Sequence, residues 1–176
     1  MKILKKVLVA LAVLVALFFA VGLLLPSKYG TERSVEIEAP PNEVFDHVNN
    51  LQANQAWSPW AAMDPSLKVT YSSTAAVGEG AWYEWKGEAS GRGRLTIVKS
   101  IRPKRIENEL DFMEQGKGKG FWTFEPTEKG TVVTWRMEGD AGNDIIGRWF
   151  GLMIDTLVGP QFEDGLARLE KVSEGR

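Results

Sequence analysis

The residues that could do chemistry in this chain are few. There is one histidine, His47, and no cysteine among 176 residues. A Ser-His-Asp or Cys-His nucleophilic system therefore has at most one base to build on. His47 lies between Asp46 and Val48, on what reads as the solvated edge of a helix. Zinc-holding clusters of His and Cys are excluded by composition, and no loop gathers acids at the spacing calcium requires. No metal and no cofactor is expected. The "GKGKG" tract at 116–120 lacks the Walker pattern and the strand-to-helix context of a phosphate loop, so it reads as a mobile hairpin tip.

What remains is a small set of polar groups among apolar ones. Asn108 falls in phase with Ile106, Leu110 and Phe112 in "RIENELDF", which aims its amide at the apolar face of a strand. There it can bond a nearby backbone group or contact a ligand, since pockets are mostly apolar with a few placed polar groups. Tyr71 and Tyr83 fit the same description, because a buried hydroxyl wants a partner. Glu84 and Arg94 have the opposite parity and read as an outer-face pair.

Seven tryptophans are many for a chain of this size. Trp85, Trp122 and Trp135 lie on strand faces directed inward. Trp149 and Met153 share the apolar stripe of a C-terminal helix. These residues could form an aromatic core or line a cavity. Trp57 and Trp60, in "NQAWSPWAAMDP", are different: Pro59 forbids helix continuation, so they stand in a loop that no period organises. That loop either folds down on the core or covers a cavity mouth; covering the mouth is the reading adopted.

The elements that must position these groups follow from periodicity. "TERSVEIEA" alternates as a strand, and "PPNEVFDHVNNL" places Val44, Phe45, Val48 and Leu51 on one helical face behind a proline start. Strands follow in "LKVTYSS", "AWYEWKGE", "GRLTIVKSI" (Leu95, Ile97 and Ile101 in register) and "RIENELDF". "GFWTFEP" and "TVVTWRME" form a hairpin about "TEKG". The chain closes in an amphipathic helix from Asp144, with Trp149 and Phe150 set to bury against the sheet. It is kinked or broken at Gly159-Pro160 and resumes through Phe162, Leu166 and Leu169. Strands segregated from one long helix predict an α+β domain whose curved sheet wraps that helix.

Ahead of all this, residues 7–25 carry no charge over 19 positions, close to the ~20 that span a bilayer as a helix. Lys2, Lys5 and Lys6 precede the stretch. A secretory signal is the competing reading, but three leucines follow the weak cleavage site Ala20-Val21-Gly22, so an uncleaved anchor is expected. The positive N-terminus stays cytoplasmic and the domain is exported, on a single pass through the plasma (inner) membrane. We read 1–26 as anchor, 27–30 as linker and 31–174 as the ligand-binding domain. From Thr31 onward the chain has 17 basic and 23 acidic residues, a net charge of −6, which leaves no electrostatic footprint for nucleic acid.

The opening "VEIEAPPNEVFDHV", the W-S-P-W loop, "GEGAWYEW", the hairpin "FWTFEPTEKGTVVTWRMEG" and the closing "GPQFEDGLARLE", in this order, resemble the START/Bet v 1-like (SRPBCC) superfamily, in its polyketide cyclase/dehydrase-like branch. The resemblance implies a helix-grip fold: a curved sheet of about seven antiparallel strands around the C-terminal helix, with an apolar cavity between. It also implies a hydrophobic small molecule or lipid as partner. The cavity candidates are then Trp57, Trp60, Tyr71, Tyr83, Trp85, Asn108, Phe112, Trp122, Trp135, Trp149 and Met153. A membrane-tethered binding domain is expected. A cyclase/dehydratase-like enzyme and an envelope interaction protein with a filled cavity are the alternatives. No catalytic residue is assigned.

Overall fold

The computed structural model describes residues 2–72, 76–113 and 116–176. An apolar helix α1 (Lys2–Leu24) leads into β1 (Lys28–Ile37), then α2 (Pro41–Asn49), a single 3-10 turn (Ala53–Ala56) and a short α3 (Pro59–Met63). Six strands follow: β2 (Lys68–Tyr71), β3 (Trp82–Gly87), β4 (Gly91–Ile101), β5 (Arg105–Asp111), β6 (Lys117–Pro126) and β7 (Thr131–Asp140). The chain ends in α4 (Ile145–Gly151) and α5 (Ile154–Ser173).

The seven strands form one antiparallel sheet in the order β1-β7-β6-β5-β4-β3-β2. Strands β2 to β7 are a meander of sequential neighbours, and β1 closes onto β7 with Val35 opposite Val133 and Arg33 opposite Trp135. To travel from β1 at one edge to β2 at the other, the chain crosses the sheet's concave face. The crossing segment is α2, the 3-10 turn and α3. Pro41 starts α2, where its missing N–H costs nothing, and Val44, Phe45 and Val48 bury its inner face.

Period-two burial holds along most of the sheet. Leu95, Ile97, Ile106, Trp122, Phe124, Val133 and Trp135 point inward and form one core cluster with Phe162, Leu166 and Leu169 of α5. This is the helix-grip architecture expected of the sequence. Glu84 and Arg94 pair on the outer face as anticipated, with Arg94 Nη2 2.5 Å from Glu84 Oε1 and its guanidinium over Trp82.

Several expectations require correction. β1 begins at Lys28, so residues 28–30, read as linker, already pair with β7. A bulge between Ile97 and Lys99 shifts the register of β4 and turns Ile101 outward, where it is 42% exposed. Lys117 to Gly120 of the glycine–lysine tract pair with β5, and Gly118 to Gly120 also pair with β7, so these residues are not a hairpin tip. The C-terminal helix does not break at Gly159-Pro160. The chain instead turns at Gly151 to Met153, between α4 and α5. Pro160 is accommodated inside α5 because the Thr156 carbonyl, which it leaves without a helical donor, belongs to a solvent-exposed residue.

Candidate functional site

The strands and α5 sort the sequence-level candidates into three groups. The first is a plug. Trp122 and Trp135 stack at 4.4 Å between centroids, and Trp135 stacks on Phe162 of α5 at 3.8 Å. Trp57 stands edge-on to Trp122 at 5.5 Å and to Trp135 at 6.0 Å, while Trp60 stands edge-on to Trp135 at 5.5 Å. Trp57 is only 3% exposed, and its indole N–H donates to the carbonyl of His47 at 3.3 Å. Covering a cavity mouth is therefore the wrong role for Trp57. With its one polar atom satisfied, the ring costs little to bury and becomes core. Trp60 is half-buried at the margin of the same cluster.

The second group is an aromatic ladder on the other half of the concave face. Tyr71 and Tyr83, opposite each other across β2 and β3, have centroids 6.2 Å apart. Tyr83 and Trp85 follow at 5.9 Å, then Trp85 and Phe112 at 5.8 Å. The Trp85 ring packs against Gly93 of β4, where any side chain would overlap it, and its N–H donates to the Ser90 carbonyl at 3.2 Å. These four aromatics are partly exposed, unlike the plug. Burial pushes the Tyr83 phenol well above its ordinary range, with Tyr71 adding to the shift, and raises Tyr71 as well. Both hydroxyls are therefore protonated at neutral pH and can donate a hydrogen bond.

Asn108 sits in this inner face, opposite Ile97 on β4 and Gly120 on β6. It is 7% exposed, and among the described residues its carbonyl oxygen Oδ1 has no hydrogen-bond partner. The backbone bond that the sequence suggested for this amide is therefore not made through Oδ1. A buried amide oxygen without a donor costs roughly 1–3 kcal/mol, so its presence calls for an explanation.

The third group does not belong to the concave face. Trp149 lies on α4 and stacks on Phe18 of α1 at 5.2 Å, donating its N–H to the Phe18 carbonyl. Met153 lies in the α4–α5 turn and is 53% exposed, and Phe150 is 51% exposed. The stripe splits: Trp149, with Ile145, faces α1, while Phe150 and Met153 are left exposed at the turn between α4 and α5.

A concavity of about 1080 Å³ opens to solvent at one end of the sheet. It takes in Tyr29, Thr31, Leu110, Met137 and Asp155 on the inner side and charged outer-face residues such as Arg94, Glu109 and Arg136. It lies at the end of the sheet where β1 begins, and neither the plug nor Tyr71 and Tyr83 line it. Beside it, α5 is clamped to β1 by a polar cluster that sequence reasoning missed. Arg33 Nε reaches Glu163 at 2.7 Å and Arg33 Nη1 reaches Asp155 at 2.8 Å, while Thr31 Oγ1 donates to Asp155 at 2.6 Å. The Arg33 guanidinium, then the Thr31 hydroxyl, hold Asp155 below the ordinary carboxylate range. An arginine on the inward phase of β1 was the available signal.

Asp64 was also missed. It is 3% exposed and accepts from Ser66 N and Oγ, Ala89 N and Ser90 N, tying the end of α3 to the β3–β4 turn. These donors, Ser66 first, hold its carboxyl far below the usual range. The Asp-Pro-Ser turn signature was the clue.

Known proteins of the same shape are numerous but distant. Protein CV1439 from Chromobacterium violaceum superposes with a TM-score of 0.61 at 15% identity, over 83% of this chain and 98% of its own. A Staphylococcus epidermidis protein solved by NMR gives 0.57 at 20% identity, over 85% and 91%. The Aha1 dimer from Colwellia psychrerythraea gives 0.58 at 14% identity, over 82% and 96%. These likenesses establish the fold alone. No curated protein matches the chain in sequence. The family model for polyketide cyclase / dehydrase and lipid transport matches residues 30–174, all of the sheet but the first two residues of β1, and both C-terminal helices. The chain is therefore a member of the polyketide cyclase/dehydrase and lipid transport family, within SRPBCC.

Proposed function

We propose that this protein is a membrane-tethered domain that holds a hydrophobic small molecule or lipid against the open half of its sheet, with the N-terminus cytoplasmic and the domain outside. Family membership supports an apolar ligand. The tether reading rests on α1, which is long and apolar enough to cross a membrane by length and composition. The observation that carries the binding reading is Asn108. A buried amide oxygen without a donor, in a face shared with partly exposed aromatic rings, is what a ligand bearing one hydrogen-bond donor would complete. Tyr71, Tyr83, Trp85 and Phe112 supply the apolar contact.

One observation favours a second reading. The centre between sheet and α5 is filled by Trp57, Trp122, Trp135 and Phe162, as an interaction protein with an occupied core would have it. Native mass spectrometry of the detergent-extracted full chain separates the two. A stoichiometric adduct of lipid-like mass is the result expected. A bare chain, together with no uptake of an apolar fluorescent probe, would favour the filled-core protein.

A further inference from the structure

Helix α1 is held along one side of its last turns by α4. The Trp149 ring stacks on Phe18 with an interplanar angle of 12°, and Trp149 Nε1 donates to the Phe18 carbonyl at 3.3 Å. Gly22 is buried against Ile145 and Trp149, and any side chain there would overlap Ile145. Arg148 Nη1 donates to the carbonyls of Leu23 at 2.9 Å and Leu25 at 3.2 Å, while its other nitrogens hold the Gly142 carbonyl. The end of α1, which would otherwise leave its last carbonyls without donors, is thereby capped by a cation from the folded domain.

This contact fixes a depth. At 1.5 Å per residue, Phe18 lies about 10 Å along the helix from Leu25, where the uncharged stretch ends. If α1 crosses a bilayer with a hydrocarbon core of ~30 Å, Phe18 lies inside the leaflet nearest the domain, and so does whatever stacks on it.

The chemistry of the α4–α5 corner agrees. Between Asp144 and Asp155 the only charged residue is Arg148, which is engaged on α1. Ile146 is 68% exposed, Phe150 51%, Leu152 55%, Met153 53% and Leu157 42%. A water-facing corner rarely gathers five large apolar side chains, and such a patch marks an interaction site. Continuity with an apolar helix of bilayer length commits it to one occupant.

Resting on the tether reading, we infer that α4 and the α4–α5 turn are embedded in the lipid of the bilayer that α1 crosses. Phe150, Leu152 and Met153 lie below the head groups, and Arg148 stands near their level. Through Trp149, α4 and α1 form a two-helix foot. The foot also locates the groove, since Tyr29 packs at Gly151 and Asp155 lines the groove just past the turn. An apolar molecule leaving the leaflet would meet that end of the sheet first.

The absence of cysteine makes the test direct. Single cysteines are placed at Phe150, Met153, Leu14 and Lys171 in the full chain, spin-labelled, and reconstituted into vesicles of phosphatidylethanolamine and phosphatidylglycerol. Collision with oxygen, which concentrates in lipid, is compared with collision with a water-soluble nickel chelate. Phe150→Cys and Met153→Cys are expected to be oxygen-accessible and nickel-protected, as is Leu14→Cys in α1, with the order reversed at Lys171→Cys. Phe150 and Met153 are each about half exposed, so either label is tolerated and one can stand in for the other. Nickel access at both positions with Leu14 still in lipid overturns the embedded corner and leaves the tether standing. Nickel access at Leu14 as well overturns the tether and the corner together. Labels at both positions shielded from both relaxants mean that protein, such as a second copy of this chain, covers the corner, and this too overturns the inference.

Discussion

The guanidinium of Arg33 lies against Gly159 of α5, so close that a methyl group at residue 159 would overlap Nη2. The glycine that reads in sequence as half of a helix break is instead the opening through which β1 grips the helix. Arg33 is held there on both sides, by Asp155 and Glu163.

Gly159→Ala should therefore destabilise the protein, although alanine is the better helix former by about 1 kcal/mol. Overpacking typically costs about 1–3 kcal/mol, and here it also displaces Arg33 from its carboxylates. In an Arg33→Ala background the same change should be neutral or stabilising. Thermal melts of the four chains check this. Equal effects of Gly159→Ala in both backgrounds would refute the packing of Arg33 on Gly159.

Trp57 and Trp149 should behave oppositely from what helix periodicity alone implies. Trp57→Ala empties a site in the aromatic plug, and truncating a buried large aromatic costs about 3–5 kcal/mol. At roughly 2–4 °C per kcal/mol for a chain of this size, Tm should fall by roughly 10 °C. Trp149→Ala should lower Tm much less while loosening α1 from α4, seen as greater mobility of a spin label at Ile145. A larger Tm loss at Trp149 than at Trp57 would reverse the assignment.

Asp64 should shape the acid limb of stability. Its folded-state pKa is depressed, first by Ser66 and then by the backbone of Ser90. The stability it contributes is thus fully present above the ordinary carboxylate value of about 4 and is lost as pH falls toward the lower folded value. Asp64→Asn should be less stable than the parent at neutral pH, with the gap closing in acid. Melting temperatures measured from neutral to strongly acid pH test this; a gap that does not change with pH would show that the carboxylate charge is irrelevant.

Asn108→Leu should separate stability from binding. If Asn108 Oδ1 waits for a ligand donor, removing it relieves an unsatisfied buried group, so Tm should hold or rise. Uptake of an apolar probe carrying a hydroxyl should weaken about tenfold, the equivalent of roughly 1.4 kcal/mol. Lower Tm with unchanged uptake would make Asn108 a framework residue.

The sequence by itself determined the order of elements and the side of each element that a residue occupies. Alternation in "TVVTWRME" and "RIENELDF" placed Val133, Trp135, Ile106 and Asn108 on the inner face, and there they are. The apolar run of α1 is equally local, because length and lack of charge are properties of one segment. Tertiary structure decided what lies opposite each face. The stripe shared by Trp149 and Met153 is divided by the turn after α4, which sets Trp149 on α1 and leaves Met153 exposed instead of facing the sheet. Trp57 sits in a segment without a period, so only the crossing of the concave face could bury it. Parity along β4 held until the bulge past Ile97, which depends on pairing with β5 and has no glycine to announce it. The plug and the ladder are alike in residue type, and both lie on the side that alternation predicts. Which half of the sheet α5 and α3 cover is a matter of helix placement, and that alone left Tyr71, Tyr83, Trp85 and Phe112 partly open while closing Trp122 and Trp135.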